Sequence, residues 1–171
     1  NLLGMPGSYR DAALDEENMN DVLASLVPEE QDRDKAVKAG EKYAFEQTGI
    51  ASLAYNTLYK LCYLNKAMPE QMAAADKLLF MPNLIEYLFS GVVHSEYSIA
   101  STSQLLDMKE KKWASELIRK AGIDPKLLAP LDYAGKDLGP LRPEIAKEVG
   151  QENLHILSVS GHDTACAVAA V

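Results

Sequence analysis

Near the end of the 171 residues, Ser160-Gly161-His162-Asp163-Thr164 stands between an apolar run, His155-Ile156-Leu157-Ser158-Val159, and an apolar tail, residues 165–171. The run carries aliphatic and β-branched residues in the manner of a strand, and the tail suits a helix. Strand, short turn and helix put the turn at the carboxyl end of a strand, where open α/β sheets collect their ligands. The start of the helix adds partial positive charge there. Asp163 sits in that turn and offers a carboxylate there. Its carboxylate could take a proton from a substrate hydroxyl. An aspartate at this position could also simply cap the following helix. Local sequence leaves both roles open, and they are compatible.

Three other patterns are declined. His162-Asp163 is similar to the His-Asp pair of metal-dependent phosphohydrolases, which needs another histidine upstream and an aspartate well downstream. Only eight residues follow Asp163 and none is acidic. Asp137-Leu138-Gly139 has the form of an Asp-x-Gly phosphate loop. No apolar strand precedes it, and Pro140 removes an amide that such a loop would use. It reads as an ordinary turn. No Walker or dinucleotide glycine pattern is present. A structural metal is not expected, because Cys62 and Cys166 lie far apart and the histidines are His94, His155 and His162 alone. Both cysteines fall in apolar stretches and read as small buried hydrophobes of a reducing cytosol. Tyr55, Tyr59 and Tyr63 recur every four residues, which reads first as packing and alternatively as an aromatic stacked on a sugar. Arg10-Asp11 reads as a surface ion pair or cap before a substrate clamp. Trp113, near Ala114 and Leu117, reads as core.

The elements that must position Asp163 are mostly helical. Asp15-Glu16-Glu17 suits the first turn of a helix to about Leu26. Pro28 precedes a mixed-charge helix from Glu29 to about Gln47, stopped near Gly49. Leu58, Leu61, Cys62 and Leu64 share one face of an amphipathic helix after Asn56-Thr57. Pro69 starts a short segment, and Pro82 opens a helix over Leu84–Phe89 closed by Ser90-Gly91. Ser98 to Leu106 is readable as helix or strand. Trp113–Lys120 reads as a helix stopped by Gly122. Residues 126–142, with Pro130, Gly135, Gly139 and Pro140, are the least regular stretch. Pro143 starts a last short helix before Gly150. One convincing strand thus stands alone at the end, and its backbone groups need partners. These must lie outside the chain or in its least legible parts.

Composition narrows the function. The 17 basic and 25 acidic side chains give a net charge of −8, which argues against a nucleic-acid or anionic-lipid partner. A hydrophobic fraction of 47% with 25% charged residues is that of a folded globular chain, long enough for one domain. No apolar run approaches the roughly 20 residues that span a bilayer. The chain begins at Asn1 without a signal segment and ends in uncapped apolar residues, so it reads as a piece of something larger.

Taken together, these segments resemble the FGGY carbohydrate kinases. The strongest element is Ser160-Gly161-His162-Asp163-Thr164-Ala165-Cys166-Ala167-Val168, similar to the family's His-Asp-Thr-Ala-Ser-Ala-Val turn. Upstream and in order stand Ser8-Tyr9-Arg10-Asp11, Thr48-Gly49-Ile50 and Asn56-Thr57-Leu58-Tyr59-Lys60-Leu61. Leu79-Phe80-Met81-Pro82-Asn83 with Tyr87-Leu88, Glu96-Tyr97-Ser98-Ile99-Ala100-Ser101-Thr102 and Leu138-Gly139-Pro140-Leu141 follow. Each is weak alone; their order over nearly the whole chain is specific. Within the family the resemblance is strongest to the branch acting on L-rhamnulose. Departures are Ser160-Gly161 in place of Ala-Ser and Cys166 in place of Ser, which bear on the branch more than on the family.

The resemblance implies an α/β fold, part of an actin-like ATPase domain of ribonuclease H-like type, mostly helical here with the late strand carrying the catalytic aspartate. Residues 1–171 would be the second half of the N-terminal, sugar-binding domain. The phosphate-loop strands and the C-terminal ATP domain would lie elsewhere in the parent protein. Asp163 matches the family's general base; His162 and Thr164 match residues lining the sugar site. Tyr55 aligns with an aromatic that touches polyols in some members and stays outside the expected site. Mg-ATP would be bound mainly by parts absent from this chain, which by itself would be inactive. The implied partners are a small ketose and the remaining kinase domains, in the cytoplasm, with self-association through the face the missing strands would cover. The alternatives are a family member acting on fuculose, xylulose, ribulose or glycerol, and a noncatalytic helical interaction module in which Asp163 is only a cap.

Overall fold

Aspartate side chains open the first two helices of the computed structural model, which describes residues 15–171. In chain order the elements are α1 (Glu16–Ser25), α2 (Arg33–Thr48), α3 (Thr57–Ala67), α4 (Pro69–Ala74), α5 (Met81–Ser90), β1 (Ser95–Glu96), α6 (Tyr97–Ser101), β2 (Leu106–Asp107) and β3 (Lys112–Trp113). There follow α7 (Ser115–Lys120), a 3-10 turn (Pro125–Leu127), β4 (Leu131–Asp132), β5 (Asp137–Pro140), α8 (Pro143–Val149), β6 (His155–Leu157) and α9 (Asp163–Ala169). They fall into two compact units. One ends at Asp76 and adds Ser101–Leu127; the other combines Lys77–Ala100 with Leu128–Val171. The motif at Ser8-Tyr9-Arg10-Asp11 lies outside the described residues.

In the first unit, Asp15 Oδ1 accepts from Asn18 N at 3.0 Å and Asp32 Oδ1 from Lys35 N at 3.1 Å, satisfying amides that a helix start leaves unpaired. Because Asp32 takes the cap, α2 begins at Arg33 rather than at Glu29. Gly49 ends it at φ 70°, a conformation that favours glycine. Helices α1 and α2 approach closely where Gly40 faces Leu23: a Cβ there would lie 1.9 Å from the Leu23 carbonyl oxygen. Leu58, Leu61 and Cys62 are buried on α3 as their spacing predicts, with Tyr59 beside them, while Leu64 of the same expected face is only half-buried. Burial pushes the Tyr59 phenol up to about 12 and the Cys62 thiol up to about 11. Leu105, Leu106, Leu117 and Ile118 complete this apolar core. Gln104, fully buried at φ 59°, donates to Ile50 O and Ser52 Oγ and accepts from Asn56 Nδ2.

Trp113 departs from the expected core helix. It pairs with Leu106 in the β2–β3 hairpin and is half-buried, and the helix waits until Ser115. The stretch from Ser98 to Leu106 is both things in turn, helix to Ser101 and strand from Leu106.

The second unit supplies the partner that β6 requires. Strand β5 pairs with it antiparallel, Asp137 opposite Leu157 and Pro140 opposite His155. Asp137-Leu138-Gly139 is therefore a strand and not the expected turn. Gly139 at φ 94° accompanies the register irregularity between Asp137 and Pro140, which is why no alternation announced it. Strands β1 and β4 pair in parallel, Ser95 with Leu131 and Glu96 with Asp132. Pro82 lies in the first turn of α5, and Gly91 closes that helix at φ 80°. Cys166 is exposed on α9, contrary to the expectation of two buried thiols: α9 buries none of its residues in the described chain.

Candidate functional site

Strand β6 delivers the chain to α9 through Ser158-Val159-Ser160-Gly161-His162. One edge of this segment continues the strand pairing: Ser158 N donates to Lys136 O at 2.8 Å, and Gly135 N donates to Ser158 O at 2.7 Å. The other edge meets side chains. Val159 N donates to Glu86 Oε1 at 3.1 Å and Gly161 N to Glu96 Oε2 at 3.0 Å. His162 N donates to Ser98 Oγ at 3.3 Å, and Ser98 Oγ lies 2.9 Å from Ser160 Oγ. Gly161 is required for closeness: an added Cβ would stand 3.0 Å from the Pro82 ring and 3.2 Å from Ile99 Cβ.

Asp163 is the first residue of α9, with its side chain 98% exposed. Its carboxylate accepts from Thr164 N at 2.7 Å, and His162 Nε2 lies 3.8 Å from it. The N-cap position belongs to His162, whose side chain makes no capping bond. His162, Asp163 and Thr164 thus cluster at one helix start: His162 half-buried, the other two open. An exposed carboxylate on an anchored backbone can meet a substrate hydroxyl and accept its proton.

Beneath the segment lie residues that local sequence did not single out as functional. Asn83, Glu86, His94, Ser95 and Glu96 are all buried. Asn83 Nδ2 donates to Glu86 Oε2 at 3.0 Å, and His94 Nε2 stands 2.8 Å from the same oxygen. Glu96 N donates to Asn83 Oδ1 at 3.2 Å. The Glu96 carboxylate accepts from Ser98 Oγ, Ser98 N and Ile99 N besides Gly161 N. Burial pushes the Glu96 carboxyl up, but these bonds together outweigh it and hold the group below its ordinary value. The available signal was an acid at Glu86 inside the apolar run Leu84-Ile85-Glu86-Tyr87-Leu88-Phe89.

Asp137 is committed elsewhere. Gly139 N donates to it at 2.8 Å, and His155 Nδ1 lies 2.8 Å away; the amide first, then the imidazole, hold its carboxyl below the ordinary range. Tyr55 is exposed and precedes α3, which begins at Thr57, while Tyr59 is fully buried within it, so the three tyrosines do not form one helical stripe. Among the described residues no three His, Cys, Asp or Glu side chains are grouped to hold a metal ion. None of the described helices is long and apolar enough to cross a membrane.

A paired late strand thus leads into an anchored turn that carries an open carboxylate. The chain belongs to the FGGY family of carbohydrate kinases: the family's N-terminal domain matches residues 29–170. Rhamnulokinase from Bacteroides thetaiotaomicron is 35% identical over 127 residues, covering 74% of this chain and 26% of that protein. Rhamnulokinase from Yersinia pestis is 33% identical over 168 residues, covering 98% of this chain and 31% of that protein. The chain thus spans less than a third of these relatives. Xylulose kinase from Bifidobacterium adolescentis superposes with a TM-score of 0.71 at 14% identity, over 94% of this chain and 37% of that one. The fold is accordingly that of this family's actin-like ATPase domain, largely helical in the part described.

Proposed function

We propose that residues 1–171 form the second half of the sugar-binding N-terminal domain of an ATP-dependent kinase that phosphorylates L-rhamnulose at its 1-hydroxyl. The observation that carries this reading is the exposed Asp163 carboxylate, on a segment anchored at both edges, in a chain 35% identical to a rhamnulokinase. In this reading Asp163 is the general base. It takes the proton of the 1-hydroxyl as that oxygen bonds to the γ-phosphorus and the bond to ADP breaks. His162 and Thr164 flank the base and contact the sugar.

Mg-ATP would supply the transferable phosphoryl group and neutralise its charge. The Asp137-Leu138-Gly139 stretch does not serve as its phosphate loop, since it is a strand whose carboxylate is already bonded. Its binding is assigned to the rest of the parent protein, and the 171 residues by themselves are expected to be inactive. Cytoplasmic location is part of the same proposal, as ATP is supplied there.

The test is ADP release by the whole protein carrying this chain, with L-rhamnulose against L-fuculose, L-ribulose, D-xylulose and glycerol. Preference for L-rhamnulose is expected, with Asp163→Asn lowering kcat by about a hundredfold or more while leaving the fold intact. Turnover of another sugar would move the substrate and keep the base. Full activity in the variant would remove Asp163 from the mechanism.

A further inference from the structure

We infer that Glu96, assisted by Glu86, is a positioning residue for Asp163: two buried carboxylates grip the backbone amides of Gly161 and Val159 and fix the segment that carries the base to the start of α9. This rests on the reading of Asp163 as general base. In extended chain, amides two residues apart point the same way. The bonds from Val159 N and Gly161 N therefore occupy one edge, where a neighbouring strand would have offered carbonyls. Side-chain carboxylates replace those carbonyls here, and bonds to ionised acceptors are roughly twice as strong as neutral ones.

The two carboxylates are joined into one frame. Glu96 N reaches Asn83 Oδ1, and Asn83 Nδ2 reaches Glu86 Oε2. Asn83 follows Pro82, whose ring is the surface on which Gly161 rests. Ser98 Oγ donates to Glu96 Oε2 at 2.5 Å and accepts from His162 N, one residue before the base. A local role for Glu96, capping the turn at Ser98 and Ile99, uses only part of its bonding. The bond to Gly161, 65 residues away, adds nothing to that cap and serves the segment alone. A glutamine in its place would keep one acceptor oxygen and set an NH2 group against donors at the other.

Kinetics of the whole protein test the inference. Misplacing a reacting group by about 1 Å can cost on the order of a hundredfold. Glu96→Gln is accordingly expected to lower kcat about ten- to a hundredfold, and to add less than about twofold when placed in the Asp163→Asn background. Amides of residues 159–162 should exchange with solvent at least about tenfold faster, with those of α1–α3 unchanged. Ser98→Ala, which removes one hydroxyl and preserves the carboxylate, should give the same pattern at about three- to tenfold. It decides the matter if Glu96→Gln does not fold. Wild-type kcat in both variants while Asp163→Asn is inactive would overturn the inference and leave the base standing. Equal losses with and without Asp163 would also overturn it, since they would mark a purely structural role. Full activity of Asp163→Asn would overturn both readings.

Discussion

Around Leu58 and Tyr59 the first unit buries aliphatic and aromatic side chains, and the polar groups buried with them, Thr48, Asn56, Ser103 and Gln104, are neutral. Around Asn83 the second unit buries Glu86, His94 and Glu96. The neutral groups satisfy backbone close to helix ends and loops: Thr48 Oγ1 donates to Ala44 O, and Asn56 Nδ2 to Ala51 O. The carboxylates instead bond Val159 and Gly161, in the segment that leads to Asp163. Burying a charge costs several kcal/mol unless it is well bonded. In the proposed reading, the two carboxylates hold one backbone conformation of the segment that carries the base.

Variants can break this contrast from either side. The largest expected effects lie in the apolar core. Gly40→Ala would drive a methyl group into the Leu23 carbonyl, and Leu58→Ala would open a cavity at a fully buried position. Each should lower unfolding free energy by about 2–5 kcal/mol in chemical denaturation. The kcat per folded molecule of the parent enzyme should not change. A large fall in kcat with stability intact would mean that the first unit also tunes the site.

Next in size is Glu86→Ala, which leaves Val159 N and Asn83 Nδ2 without their acceptor and removes the carboxylate beside His94. A loss of about 1–3 kcal/mol is expected, with faster exchange at Val159. Stability unchanged would show the carboxylate to be idle.

The pH dependence sharpens the comparison further. Glu96 is held below its ordinary value of 4.5 in the folded chain. Its contribution is therefore fully present above that value and is lost as pH falls through the lower, folded one. Amide protection in the second unit should drop over about pH 5 to 3, with a shallower slope in Glu96→Gln. An identical slope in the variant would detach Glu96 from the acid response. The smallest effect is expected at Asp137→Asn, on an exposed carboxylate paired with an exposed histidine: no resolvable change in Tm by thermal denaturation.

What could be read from the residues follows from how far each signal reaches along the chain. The helix start at Asp15, the stops at Gly49, Gly91 and Gly150, and the buried face of α3 are each decided within one or two turns, so they stand in the sequence; the start of α2 at Asp32, four residues after Pro28, does not. The order of family segments up to Asp163 was likewise legible, because it needs residue identity alone. The partner of β6 was not: Gly139 and Pro140 hide the alternation of β5, and pairing joins residues 15 to 20 apart with an irregular register. Trp113 and Cys166 were misread as buried because side-chain type reports affinity for a core and not the presence of one at that place. Residue types and local spacing thus determined the helices, the family and the candidate base. Only the tertiary structure decided what holds that base: a hydrogen bond between Glu96 and Gly161 depends on distance in space, and no local period encodes it.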